Sequence, residues 1–180
     1  MLTSFKLGLI GFPLGHSLSP KIHAAALRSC GLEGDYSLFP IHPDDKQELK
    51  DLLARVRTGE IHGLNVTIPH KQNVIPLLDE LTSTVQAIGA VNTIYLKDNL
   101  LIGDNTDAPG FIRDLKRFLT TETQSHRDAN ALVLGAGGSA RAVVYALLND
   151  GWNVTIIARR TEQAQQLAAS NRLKNWQSDL

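Results

Sequence analysis

The chain has 180 residues and a mass of 19.7 kDa, with 43% hydrophobic and 20% charged residues, a balance that excludes an intrinsically disordered polypeptide. Eighteen Lys and Arg offset eighteen Asp and Glu, so no global charge draws it to nucleic acid or an anionic membrane. Cys30 has no internal disulfide partner, no Cys/His spacing suits a metal, and neither a signal pattern nor an apolar run of roughly 20 residues is present, so a soluble cytoplasmic protein is expected.

Phe5 to Gly11 is short, apolar and ended by glycine, as a buried strand is. Ser19-Pro20 predicts a helix start with Ser19 as N-cap, after which Ile22, Ala25, Ala26 and Ser29 share a face and Gly31 closes the helix. Tyr36 to Ile41 reads as a strand. Pro43 opens a helix in which Leu49, Leu52, Leu53 and Val56 recur at helical spacing, and Gly59 ends it. Ile61 to Thr67 is a third strand. Val74, Leu77, Leu78 and Leu81 suggest further helix, and Val91 to Leu96 another strand. Asp98-Asn99 is a turn that returns Leu100 to Gly103 antiparallel. Strands alternate with helices, the pattern of an α/β fold with a mostly parallel sheet.

The polar stretch near residues 120–129 has no apolar period and reads as a connection. Ala131 to Leu134 is then a new strand, followed by a glycine-rich turn and a helix to about Asn149. Val154 to Ala158 is the next strand. A last helix starts near Thr161 with Ala164, Leu167 and Ala168 inside, and Asn171 to Leu180 has too few apolar residues for another strand. A doubly wound dinucleotide domain has about six strands. The expected organisation is therefore an α/β unit over residues 1–104, a connecting helix and linker over 105–129, and an incomplete Rossmann-type domain over 130–180, part of a longer protein.

Gly135, Gly137 and Ala140 fit the strand-to-helix fingerprint G-x-G-x-x-G/A, within the loop Gly135-Ala136-Gly137-Gly138-Ser139-Ala140. The glycines allow a tight turn and close approach of backbone to a pyrophosphate, which faces the free N–H groups of the helix start. After the second strand of this unit stand Arg159, Arg160 and Thr161, where an NAD site usually carries an acidic residue. Guanidinium forks beside a hydroxyl suit the 2′-phosphate of NADP, although Glu162 is close enough to pair with one of them. Arg141 lies just inside the preceding helix.

Polar residues also gather at strand ends of the first unit, where open α/β sheets place ligands. Ser17 and Ser19 precede a helix; Asn65, Thr67, His70 and Lys71 end the third strand; Asn92 and Asp107 stand in Ala90-Val91-Asn92-Thr93 and Gly103-Asp104-Asn105-Thr106-Asp107. Singly these have plain readings: Ser19 and Asp107 as N-caps, Lys71 as a surface lysine, His16 and His70 as local hydrogen-bonders.

Together, Ser-x-Ser-Pro, Asn-Val-Thr-x-Pro-x-Lys, Ala-Val-Asn-Thr and Gly-x-Asn-Thr-Asp, followed by the glycine loop, resemble the shikimate dehydrogenase family over nearly all of residues 5–170. The resemblance implies that the amino-terminal domain binds substrate, that the second binds NADP, and that the active site lies between them. It assigns Lys71 and Asp107 to catalysis and Ser17 and Ser19 to the substrate carboxylate. Asn65, Thr67 and Asn92 contact the carboxylate or ring hydroxyls, and Gly135 to Ala140 with Arg159, Arg160 and Thr161 hold NADP. Arg159 departs from the family's usual Asn, and the family's later strands and a carboxyl-terminal glutamine have no counterpart here. The implied reaction is NADP-dependent reversible reduction of 3-dehydroshikimate to shikimate, without a metal. The implied partners are that small-molecule substrate and, at most, a second copy of the chain in a homodimer. A quinate/shikimate dehydrogenase using NAD and a non-catalytic ligand-binding relative are the alternatives.

Overall fold

A computed structural model of the protein describes residues 4–119 and 129–170, together with the backbone of Trp176 and Gln177. Contacts divide the chain into two compact units. The first holds the residues up to Thr82 together with Val91–Asp104, and the second holds Ser83–Ala90 together with the chain from Asn105 onward.

The first unit is built on a sheet of β1 (Phe5–Gly11), β2 (Gly34–Pro40), β3 (Gly63–Val66), β4 (Glu80–Leu81), β5 (Thr93–Lys97) and β6 (Leu100–Asp104), in the order β2-β1-β3-β5-β6-β4. β1 pairs in parallel with β2 and β3, and β4 with β6; β5 runs antiparallel to β3 and β6. The β5–β6 hairpin turns at Asp98 and Asn99, both at positive φ (52° and 63°), the twist a two-residue hairpin requires. Ile10, Leu64, Ile94 and Leu101 are fully buried in the sheet, each removing a side chain from water for roughly 1.5–3 kcal/mol.

Two helices cover this sheet, and each corrects the reading of its start or face. α2 (Lys46–Arg57) buries Leu49, Leu52, Leu53 and Val56, as their spacing predicts. It starts three residues after Pro43, because the Asp45 carboxylate accepts the Glu48 N–H (2.9 Å) and Pro43 has no such acceptor to offer. α1 (Ser19–Ser29) has Ser19 inside the helix; the N-cap is Leu18, with no side-chain cap. Its predicted inner face is exposed, Ile22 to 61%; the buried residue is Leu27, one turn on from half-buried His23. The alanines are too small to set the face, so the ring of His23 and the bulk of Leu27 decide it. The segment expected to be helical near residues 74–81 is instead a short α3 (His70–Asn73), a 3₁₀ turn at Ile75–Leu77 and β4. Pro76 supplies no N–H to continue a helix.

The second unit contains α4 (Ser83–Ile88), α5 (Asp107–Leu119), β7 (Asn130–Leu134), α6 (Gly138–Asn149), β8 (Asn153–Ile157) and α7 (Thr161–Ser170). Its sheet is separate from the first and parallel, in the order β7-β8-β9. β9 (Trp176–Gln177) pairs with Ile156 and Ile157, a strand that the polarity of residues 171–180 argued against. Two residues on an open sheet edge pair through backbone groups alone and need no apolar run. Val133, Val144, Leu147, Ile156, Ala164 and Leu167 form the core, while Ala108, Ala142 and Ala146 pack with Ile88 and Ala90 where small side chains let helices approach.

Candidate functional site

In the first unit, chain direction gathers the candidate substrate residues at one end of the sheet. β1 and β3 end side by side, with the Thr67 N–H donating to Ile10 O (2.8 Å). β5 is antiparallel, so Asn92, just before its start, lies beside the end of β3, and its carbonyl accepts from the Val66 N–H (2.8 Å). Asn65, Thr67 and Asn92 are therefore neighbours on adjacent strand ends. The loop after β1 is laced to the loop after β3 by a Phe12 N–H to Ile68 O bond (3.0 Å), and it leads to Ser17 and Ser19. The Ser17 hydroxyl accepts the Ser19 N–H (3.3 Å); both serines are half-buried, and His16 is exposed.

Lys71 is half-buried in α3, and its backbone is fixed from two directions. Its carbonyl accepts the Val91 N–H (2.7 Å), and the preceding residue, His70, is buried with its Nε2 on Ile41 O (2.8 Å). A carbonyl partner requires Nε2 to carry a proton, and Nδ1 is buried without a hydrogen bond among the described residues. His70 is thus a local anchor beside Lys71.

Tyr36, on β2, is the residue that sequence reasoning missed. Its hydroxyl donates to Asn65 Oδ1 (2.8 Å), and the His23 ring stacks on its own at 4.2 Å and 6°. Burial pushes the phenol up to about 12, although a hydrogen bond from Ser19 works against that rise. The same cause, burial, lowers His23.

In the second unit, Asp107 is the first residue of α5, and Asn105, two residues before it, accepts from the first N–H groups of the helix. Asn105 is buried, its Oδ1 accepts from the N–H groups of Asp107 (3.0 Å) and Ala108 (3.3 Å), and its Nδ2 donates to Ala90 O (2.9 Å). Asp107 itself is half-buried.

The turn from β7 to α6 is the glycine-rich loop. Gly135 sits at φ +115°, which a side chain would resist, and its N–H is held by Ile157 O (2.7 Å). The N-cap of α6 is Gly137, which supplies no side-chain cap, and a Cβ added at Gly135 or Gly137 would meet no atom within 4 Å. Open space above an uncapped helix start fits a pyrophosphate; Ala136, Gly138, Ser139 and Ala140 complete this loop. Arg159 and Arg160 are exposed between β8 and α7, and neither pairs with Glu162 among the described residues. Thr161 begins α7. Arg141 turns elsewhere: its guanidinium lies 3.4 Å from the Cβ position of Gly89, its Nε is buried without a hydrogen bond, and burial lowers its pKa. A cavity of about 240 Å³ in this unit, lined by Pro109, Ile112, Tyr145 and Asp150 among others, contains none of the candidate residues. Among the described residues no cluster of His, Cys, Asp and Glu could hold a metal, and no helix is long and apolar enough to cross a membrane.

Known proteins match both units. The pattern of the shikimate dehydrogenase substrate binding domain matches residues 9–94, and that of shikimate / quinate 5-dehydrogenase matches residues 118–178. The shikimate dehydrogenase (NADP(+)) of Dictyoglomus thermophilum is 42% identical over 168 residues, which cover 93% of this chain and 58% of that protein. The chain thus spans less than two thirds of the relative's length. The crystal structure of shikimate dehydrogenase from Aquifex aeolicus is 38% identical at a TM-score of 0.86, covering 97% of this chain and 62% of that one. The shikimate 5-dehydrogenase of Thermus thermophilus, solved in complex with NADP(H) and shikimate, is 38% identical at a TM-score of 0.82, covering 96% and 62%. With both regions matched in chain order and at this identity, the chain belongs to the shikimate dehydrogenase family.

Proposed function

We propose that the intact protein catalyses the reversible NADP-dependent reduction of 3-dehydroshikimate to shikimate. In this reading residues 1–104 bind substrate, 105–129 connect, and 130–180 contribute to the dinucleotide site. One observation supports it: Asn65, Thr67 and Asn92 are neighbours at the ends of β1 and β3 and the start of β5, from which the loop to Ser17 and Ser19 and the helix bearing Lys71 lead off, a set that suits a polyhydroxylated ring acid. The uncapped start of α6 and the exposed Arg159 and Arg160 support the dinucleotide and its 2′-phosphate.

NADP(H), when bound, supplies or accepts the hydride. The chain's own residues do the rest. Ser17 and Ser19 hold the substrate carboxylate away from the reacting carbon, and Asn65, Thr67 and Asn92 orient the ring. The Lys71 ammonium polarises the ring oxygen and holds the proton that this oxygen gains on reduction. Asp107 is the second member of the catalytic pair, its carboxylate the complement in charge to that ammonium. Gly135 to Ala140 receive the pyrophosphate, and Arg159, Arg160 and Thr161 receive the 2′-phosphate. No step requires a metal. A cytoplasmic setting, which the unpaired Cys30 supports, and a homodimer complete the reading; sedimentation of the intact protein measures the second.

The test is turnover of the intact protein with shikimate and NADP, compared with Lys71→Ala and Asp107→Asn. Each variant should lower kcat by roughly 10²–10⁴, the span of general acid–base catalysis. The double variant should be little worse than the worse single one, because either loss disables the same unit. Asp107→Asn keeps a side-chain acceptor at the start of α5 while removing the charge, which separates a fold effect from a catalytic one. Near-normal kcat in Lys71→Ala contradicts the mechanism, and an inactive wild type contradicts the function.

A further inference from the structure

Neither the motifs nor the proposed mechanism uses Tyr36, yet its hydroxyl is hydrogen-bonded to two of the candidate substrate residues, Asn65 and Ser19. The register puts it in place. Tyr36 pairs with Leu7, Leu9 pairs with Asn65, and Leu7 and Leu9 are two apart on β1, so all four side chains project from one face of the sheet. The phenol reaches across β1 and donates to Asn65 Oδ1 (2.8 Å). Its ring cannot swing away, because the His23 ring from α1 lies flat against it at 4.2 Å.

The consequence is a fixed polarity at Asn65. An asparagine amide can present either its oxygen or its nitrogen to a ligand. Here the oxygen is committed to Tyr36, and among the described residues the nitrogen has only a long contact, 3.5 Å, to Asn92 O. Asn65 therefore offers N–H donors at the end of β3, and the ligand atom facing it must accept: a ring hydroxyl oxygen or a carboxylate oxygen.

We propose that Tyr36 is a positioning residue of the substrate site, which locks the Asn65 amide in the donor-outward orientation and so selects ligands with an acceptor at that position. This rests on the reading of the first unit as the shikimate site. Tyr36 acts through Asn65 and needs no contact with substrate.

A double-mutant cycle on shikimate affinity tests it, read by titration calorimetry on the intact protein with Tyr36→Phe, Asn65→Ala and the pair. Tyr36→Phe keeps the ring and its stacking on His23, so the melting temperature checks that the fold is retained. Loss of one orienting hydrogen bond should weaken shikimate by about three- to tenfold. In the Asn65→Ala background, Tyr36→Phe should keep only a small effect, the part owed to its lost hydrogen bond with Ser19, a result that a merely structural role for Tyr36 would not give. Unchanged affinity in Tyr36→Phe overturns the proposal, as does a double variant weakened by the full product of the two single losses. Both outcomes leave the shikimate reading standing; absence of shikimate binding to the wild type overturns that reading and this proposal with it.

Discussion

Ser17 and Ser19 have different duties towards the fold, and this separates what their loss should do. Ser19 lies within α1 and is not its cap, so Ser19→Ala should lower the melting temperature only through its lost hydrogen bond to Tyr36. Ser17 accepts the Ser19 N–H, so Ser17→Ala should lower it slightly. Both should raise KM for shikimate with little change in kcat, because a carboxylate remote from the reacting carbon is held alike in ground and transition states. Steady-state kinetics beside thermal melts read both effects, and an unchanged KM removes the serine concerned from the site. Asn105 is the opposite case. Its side chain serves two helix N–H groups and a carbonyl from a buried position, so Asn105→Ala should cost about 1–3 kcal/mol in denaturant unfolding. At this scale the sequence was legible where a motif brought unlike polar groups together, as in Asn65-Val66-Thr67 with Lys71. It was not legible for Tyr36 or Asn105, whose roles come from partners 29 and 15 residues away.

Among elements, α2 was the easiest to read and α1 the hardest, for one physical reason. Four large apolar residues mark the inner face of α2, whereas α1 offers small alanines on competing stripes and leaves the choice to Leu27 and His23. α2 is also tied to the strands. Arg57, its last residue, donates to Asp79 (2.8 and 3.1 Å), whose carboxylate also accepts the Leu101 N–H of β6 (2.7 Å). The Arg57 hydrogen bond first, and then the Leu101 N–H, hold Asp79 below the ordinary carboxylate range. A carboxylate depressed in the folded state stabilises above its unfolded pKa, near 3.9, and this contribution disappears as pH falls through the folded value. Asp79→Asn should therefore be less stable than wild type at pH 7, and the gap should narrow once the pH drops below about 4. Urea unfolding at both pH values measures this; a gap of constant size would mean that the carboxylate charge contributes nothing.

For the molecule as a whole, the alternation of strands and helices and the change of character near residues 120–129 were enough to expect two α/β sheets, and the described residues form two. The assignment of Ser83–Ala90 to the second unit was not legible, because α4 joins it through packing of Ile88 and Ala90 against Ala108 and Ala142 rather than through chain order. The nucleotide half of the account makes its own prediction. Replacing Arg159 and Arg160 by Gln in the intact protein should weaken NADP far more than NAD. Each lost charge-assisted bond to the 2′-phosphate is worth on the order of 1.5–3 kcal/mol, and NAD has no such phosphate. Equal weakening of both cofactors would mean that the arginines serve the fold. The central claim is the reaction itself, and the measurement that tests it most directly is the initial rate of the intact protein with shikimate or quinate, each with NADP or NAD. The account predicts the highest kcat/KM for shikimate with NADP. A preference for quinate with NAD, or no turnover with any of the four pairs, would contradict it.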